Sequence, residues 1–381
     1  MNKIAIGIPT LNEEDTISNT TRVIDSGMSS FFGASNCYII NADNNSADNT
    51  KVNFENTPTS CKKVYISSNG QQKGKGLNVL NFIKYCYKNN IEYAATIDSD
   101  ISTIEADWVK KLFSPITKNG FDFVTPLYRR NRFEGSTTSH FAFPFIYTFF
   151  GTKIRQPIGG EFAFNRGYID YLLSMQLPDT AREYGIDIFL TTHAVASNFK
   201  VTEALLGRKF HKPSFPKIIP MFKQVFSSAL QTSLSYPFNP IEVNNNVEDS
   251  TICIDENNVF KHRDKVKELI EYSKDQLHKN QSLYKNLGLE DYSKLFARNK
   301  SEKFISLNDW SEILSDFFSI FIKAEESDPS LLPDLISPLF FLRTISFWFE
   351  IEDDSPLVIE KKLDDQAKLI RSMTLKKVSS K

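Results

Sequence analysis

An alternation repeated along residues 1–100 constrains this chain more than any other feature. An apolar run ends on a polar, often acidic loop, and a stretch able to form a helix follows. "KIAIGIP" leads into "TLNEEDTI", "CYII" into "NADNNSADNT", "KVYIS" into a helix expected from about Leu77 to Lys88, and "YAATI" into "DSD". Strands that alternate with helices need crossover connections. The expected fold class is therefore α/β, with a mainly parallel, Rossmann-like sheet covered on both faces and ligand sites outside the carboxyl ends of its strands. Asn12 is expected to cap a helix whose first turn carries Glu13, Glu14 and Asp15 against the positive end of the dipole.

At 381 residues the chain exceeds the usual size of a single core, so a second, smaller module is expected. The texture changes after about Met221, which gives an α/β domain over 1–220 and a helical region over 221–381. Val259, Phe260, Val266, Leu269, Ile270 and Leu277 fall on one helical stripe, and Ile313, Leu314, Phe317, Phe318 and Phe321 on another. Such aromatic stripes suit a core or a subunit interface, and a homodimer is one way of covering them. The polar, proline-punctuated "PFNPIEVNNNVEDST" reads as a long connection.

Composition narrows the partners. Lys plus Arg total 45 against 46 Asp plus Glu, a balance that supplies no electrostatic reason to expect nucleic acid. Cys37, Cys61, Cys86 and Cys253 lack CxxC spacing, which argues against a zinc ribbon or a disulfide framework and suits a reducing cytoplasmic location. The sequence enters its first strand with no basic and apolar leader. The greasiest stretch, Leu335 to Ile351, is interrupted by Pro338 and Arg343, so no transmembrane segment is expected.

The chemistry should sit in the loops on the carboxyl edge. In "DSD", Asp98 and Asp100 flank Ser99 where a buried strand stops. Paired carboxylates there repel each other unless a cation or donor compensates, and a hard divalent ion such as Mg²⁺ or Mn²⁺ would do so while holding phosphate oxygens. "QQKGKGLN" sets Lys75 between Gly74 and Gly76, where bare backbone could approach an anion, although the spacing is not that of a Walker A loop. Taken with "PTLNEE" and "DNNSADNT", these loops suggest a nucleoside diphosphate.

The blocks "IPTLNEEDTI", "DNNSADNT", "GKGLN" and "IDSD" resemble the nucleotide-binding half of a GT-A glycosyltransferase. Further on, "YRR", "QPIGGEFAFNR", "YGIDIFL" and "GRKFH" resemble the glucosyl-3-phosphoglycerate synthases and mannosylglycerate synthases, in the same order along the chain and as far as about Lys212. The resemblance implies retaining transfer of a hexose from a UDP- or GDP-sugar to a small hydroxy acid, with a divalent metal. Carried over to this sequence, it implies that Pro9, Thr10, Leu11, Asn12, Glu13 and Asp43 line the nucleoside, and that Lys75, Asp98, Ser99 and Gly160 meet the diphosphate and sugar. Asp100 and His211 would hold the metal, an oxygen and imidazole set that suits Mn²⁺ better than Ca²⁺. Asp100, Glu161 and Asp187 would form the catalytic group.

For the acceptor, the resemblance points to Arg130, Gly135, Ser136, Thr137 and Thr138. The phosphoglycerate enzymes present an arginine to the acceptor phosphate after the "YRR" block, and Ser136 stands in its place here, with Thr138 in the place of a following threonine. Loss of that guanidinium fork, next to Glu134, favours D-glycerate or a similar unphosphorylated acid unless Arg129, Arg130 or Arg132 supplies the charge. Other readings are a glucosyl-3-phosphoglycerate synthase, a transferase acting on a lipid phosphate or glycan, a glycoside hydrolase using paired carboxylates, and a silent nucleotide-sugar-binding module.

Overall fold

A computed structural model describes residues 2–68, 74–210, 217–241, 254–256, 263–290, 292, 295, 304–323 and 329–380. The chain divides into two compact units, one of residues 1–128 with 156–218 and one of residues 129–155 with 219–381. Residues 129–155, which the sequence alone groups with the α/β domain, belong to the helical unit.

The first unit is built on a seven-stranded sheet in the order β3-β2-β1-β4-β6-β5-β7. Its strands are β1 (Ile4–Thr10), β2 (Cys37–Asp43), β3 (Lys62–Ser67), β4 (Tyr93–Thr96), β5 (Phe123–Arg129), β6 (Ala163–Asn165) and β7 (Val201–Arg208). β1, β2, β3 and β4 pair in parallel, and β6 inserts antiparallel between β4 and β5. Strand periodicity divides the core. Ile4, Ile6 and Ile8 point to one face, packed with Trp108, Leu112 and Phe113 of α4 (Asp107–Asn119), while Ala5 points to the other, packed with Val79, Phe82 and Ile83 of α3 (Lys75–Lys88). Covering both faces drives the parallel strands to end at one edge, where Thr10, Asp43 and the loop after Thr96 emerge.

One local expectation fails. α1 (Ile17–Phe32) starts five residues beyond Asn12, with Thr16 at its N-cap and no acidic residue in its first turn. Asn12 instead takes a left-handed φ of 58° and joins two loops: its amide donates to Ser46 Oγ at 2.8 Å and its Oδ1 accepts from Ala47 N at 2.9 Å. An asparagine suits that conformation as well as it suits a cap, which is why sequence alone misassigns it.

The helical unit contains α5 (Phe143–Phe150), reached through a short π-helical turn over Thr138–Ala142, then α8 (Ile218–Ser233), α9 (Arg263–Lys279), α10 (Gln281–Asn286), α11 (Leu307–Lys323), α12 (Leu332–Glu350) and α13 (Pro356–Ser379). Its core is aromatic. Phe222 stacks on Phe340 with centroids 3.8 Å apart, and Phe149 meets Phe318 edge-on at 5.1 Å. Of the two expected stripes, that of α11 is buried, whereas Val259 and Phe260 of the other lie outside the described residues.

α12 runs through Pro338 and Arg343, the two residues that interrupt its apolar stretch. Pro338 lacks the amide that would bond the Asp334 carbonyl, and the Ser337 hydroxyl donates to that carbonyl at 3.3 Å instead. Arg343, fully buried, pairs with Glu350 two turns further along at 2.9 Å and donates to Ile305 O at 3.0 Å. Among the described residues, no helix is long and apolar enough to cross a membrane.

Candidate active site

The carboxyl edge of the sheet in the first unit gathers charge from five separate stretches of sequence. Lys75, at the first turn of α3, places Nζ 3.0 Å from Asp98 Oδ2 and 3.5 Å from Asp187 Oδ1. Asp187 lies in the first turn of α7 (Ile186–Ala196) and also accepts from the Gly159 amide at 3.1 Å. Glu161 is fully buried. It accepts from the Asp98 amide at 3.2 Å, from the Tyr128 hydroxyl, and from Lys209 Nζ at 2.7 Å. Lys75, Asp98, Glu161 and Asp187 thus lie in one neighbourhood, joined by Lys209 and Tyr128, to which the sequence assigns no role.

The protonation states follow from this geometry. Burial would lower the Lys75 pKa, but the carboxylates of Asp187, Asp98 and Glu161 outweigh it and raise the pKa well above the ordinary lysine value. Lys75 is a cation at any working pH. Burial pushes the Glu161 carboxyl upward, with Lys209 opposing the rise and Asp98 adding to it.

Gly160 sits against the centre of this cluster with φ +93°. A Cβ there would stand 2.2 Å from Asp98 Oδ2 and 3.0 Å from Lys75 Nζ, so only glycine fits. Its carbonyl accepts from Thr96 Oγ1 at 2.8 Å. The glycines around Lys75 have another use than the sequence suggests. A Cβ on Gly74 would lie 2.3 Å from Arg182 O and one on Gly76 1.9 Å from Ala181 O, and the Gly76 amide donates to Glu183 O at 3.1 Å. Their bare faces are filled by residues 181–183 of the chain itself, which corrects the expectation of an anion-approaching backbone at this loop. The cation, and not the glycine backbone, is what this loop contributes.

The loops expected at the nucleoside interlock. Asp43 is buried and accepts from the Thr10 hydroxyl at 2.8 Å, the Ser46 amide at 2.8 Å, the Ser46 hydroxyl at 2.6 Å and the Tyr65 hydroxyl at 2.9 Å. The Glu13 amide donates to Thr50 Oγ1 at 2.8 Å, and Leu11 stands exposed at the rim. Pro9 and Thr10 close β1 beside Ala42 and Asp43 of β2. Ser99 is buried, and its carbonyl accepts from Thr20 Oγ1 at 2.8 Å.

Asp100 is half-buried at the turn after β4. His211, its expected partner on a metal, lies outside the described residues, and among those described no group of three or more His, Cys, Asp and Glu side chains could hold an ion. The chain leading to position 211 is nonetheless fixed at this turn: the Ser102 amide donates to Phe210 O at 2.9 Å and the Thr103 hydroxyl to Arg208 O at 2.8 Å.

The residues expected at the acceptor lie in the helical unit. Gly135 has φ +71°, and a Cβ on it would be 3.1 Å from Arg130 Cδ, so the Arg130 stem lies across it. Ser136 and Thr137 are half-buried, and Thr138 is buried where it opens the π-helical turn. Of the candidate replacement charges, Arg132 is engaged on the carbonyls of Ile351, Glu352 and Asp354 at 3.0, 3.2 and 2.8 Å, beyond the end of α12. Arg129 is exposed.

Residues 5–173 match the family described as Glycosyl transferase family 2. Among solved structures, the chain resembles glucosyl-3-phosphoglycerate synthase from Mycobacterium tuberculosis in complex with Mn²⁺, UDP and phosphoglyceric acid. Identity is 24%, with 61% of this chain and 78% of that one covered and a TM-score of 0.50. A second structure of the same synthase, with Mn²⁺, UDP-glucose and phosphoglyceric acid, matches at 24% identity over 62% of this chain and 81% of that one, again with a TM-score of 0.50. No curated protein matches the sequence. The family match over residues 5–173 and the order of the sheet give the first unit the GT-A fold found in glycosyltransferases, and the second unit is helical.

Proposed function

We propose that the chain transfers a hexose, with retention, from a UDP- or GDP-sugar to a small hydroxy acid of the D-glycerate kind, with Mn²⁺ or Mg²⁺ as cofactor. The observation that carries this reading is Lys75, held as a cation between Asp98 and Asp187 against the bare Gly160. In such a transfer the bond from the anomeric carbon to the phosphate oxygen breaks, the acceptor hydroxyl oxygen bonds that carbon, and the hydroxyl proton passes to the departing diphosphate. Negative charge grows on the departing diphosphate, and a cation fixed beside it stabilises the transition state more than the ground state.

Asp100 and His211 would hold the metal. The fit rests on their donor chemistry, a carboxylate and an imidazole, and on the anchoring of Phe210 at Ser102. The metal when bound would supply further charge stabilisation at the diphosphate. Asp43, Thr10 and the Asn12 loop would shape the nucleoside end.

The choice of an unphosphorylated acceptor rests on Ser136 in the place of an arginine and on Arg132, whose Nη1 is engaged on the carbonyls of Ile351, Glu352 and Asp354. Initial rates with D-glycerate and 3-phosphoglycerate at equal subsaturating concentration test it. Faster transfer to D-glycerate is expected; faster transfer to phosphoglycerate would mean that another residue, such as the exposed Arg129, binds the phosphate.

A further inference from the structure

The residue that holds the sugar side of this site in shape is one that the resemblance does not assign. Lys209 is only 4% exposed and follows the last residue of β7. Its ammonium lies 2.7 Å from Glu161 Oε2, 2.5 Å from Gly159 O and 3.9 Å from Asp98 Oδ2, and 5.0 Å from the centroid of the Tyr128 ring. The flanking backbone is pinned on both sides: Arg208 O accepts from Thr103 Oγ1, and the Phe210 amide donates to the same hydroxyl at 3.0 Å. These bonds fix the backbone from which the Lys209 side chain turns inward to Glu161 and Gly159.

Burying Glu161 without a counter-charge would be strongly unfavourable, and a pair with one partner removed costs far more than a pair replaced by matched neutral groups. Through one nitrogen, Lys209 compensates Glu161 and also grips the carbonyl of Gly159, the residue before Gly160, where Asp98 and Lys75 leave no room for a side chain. We propose that Lys209 is a positioning residue for the donor sugar, acting through Glu161 and the Gly159–Gly160 turn and not through the nucleoside diphosphate. The proposal rests on the donor-site reading above.

Titration calorimetry with the full chain in Mn²⁺ tests it. The probes are UDP with UDP-glucose and GDP with GDP-mannose, whichever pair binds the unaltered chain. Lys209→Met is expected to bind the free nucleotide within about twofold of the unaltered chain and the nucleotide sugar about tenfold or more weakly. Glu161→Gln should show the same split, and Lys209→Met with Glu161→Gln should be no weaker than the worse single variant, because the two side chains act as one unit. The double variant leaves no buried charge unpaired, so it can be read even where Lys209→Met alone does not fold. Equal weakening of nucleotide and nucleotide sugar, or effects that add in the double variant, would overturn the proposal. If the unaltered chain binds the nucleotides but neither sugar, the proposal fails while the nucleotide site stands; if it binds no probe, the donor-site reading fails with it.

Discussion

At the scale of single residues, Gly160 makes the sharpest demand. Its φ of +93° is strained for any other residue, by about 1–3 kcal/mol in typical cases, and a methyl group would press on Asp98 Oδ2. Gly160→Ala should therefore lower transfer by about tenfold or more while the chain stays folded, as measured by initial rates beside a thermal melt. A fully active variant would separate this turn from the chemistry. Lys75, Asp98 and Asp187, which the sequence reading names, lie in a loop after a strand or in first helical turns, where a charge on an apolar framework stands out, and Glu161 lies just before β6. Lys209 does not stand out, because a lysine at the end of a strand usually reaches water, and only the fold shows it turned inward against Glu161. The glycines around Lys75 mislead for a related reason: a bare backbone face fits an anion or another backbone equally well, and here it meets residues 181–183.

At the scale of elements, helix ends and buried histidines make separable predictions. Arg132 donates to three carbonyls beyond the end of α12, so Arg132→Ala should destabilise the chain by about 1–3 kcal/mol, a loss read by denaturant melts. Arg132→Lys, which lacks the planar fork, should recover part of it. In α7, burial pushes the His193 pKa down to about 4. A histidine depressed in the fold adds stability above its unfolded pKa, and that stability drains as pH falls from about 6.5 toward 4, by up to about 3 kcal/mol. His140 in the helical unit is likewise held well below its ordinary value, by burial and by the Arg343 charge, and acts in the same direction. Comparing His193→Leu with the unaltered chain isolates the first contribution: the variant should lose less stability between pH 6.5 and 4, and identical acid sensitivity would contradict it. Over residues 1–100 the alternation of strands and helices is legible in the sequence apart from the start of α1, because apolar periodicity is a local signal. The antiparallel insertion of β6 between β4 and β5 is not, since strand order depends on which distant edges meet.

At the scale of the whole molecule, the segment 129–155 shows why a boundary near residue 220 cannot be read as a simple cut. Phe141, Phe145 and Phe149 pack on Phe226 and Phe318, and the Trp310 indole donates to His140 O at 3.0 Å, all within the helical unit. A chain ending near Ser235 would keep α5 while losing α11 and α13, leaving that aromatic face bare. It should aggregate or melt well below the intact chain in light scattering and calorimetry, and a soluble monomer of unchanged stability would contradict this account. A boundary placed near residue 220 from the change of texture cannot show that one aromatic helix from the middle of the first stretch completes the core of the second.

The central claim is that this edge of the sheet passes a hexose from a nucleotide sugar to a small acid under metal control. Release of nucleoside diphosphate from UDP- and GDP-hexoses, followed with and without D-glycerate, in Mn²⁺ and in chelator, tests it most directly. The account predicts rapid release only when acceptor and metal are both present, with at least about a hundredfold loss in Asp100→Ala. Release at the same rate without acceptor, or undiminished in chelator, would contradict it.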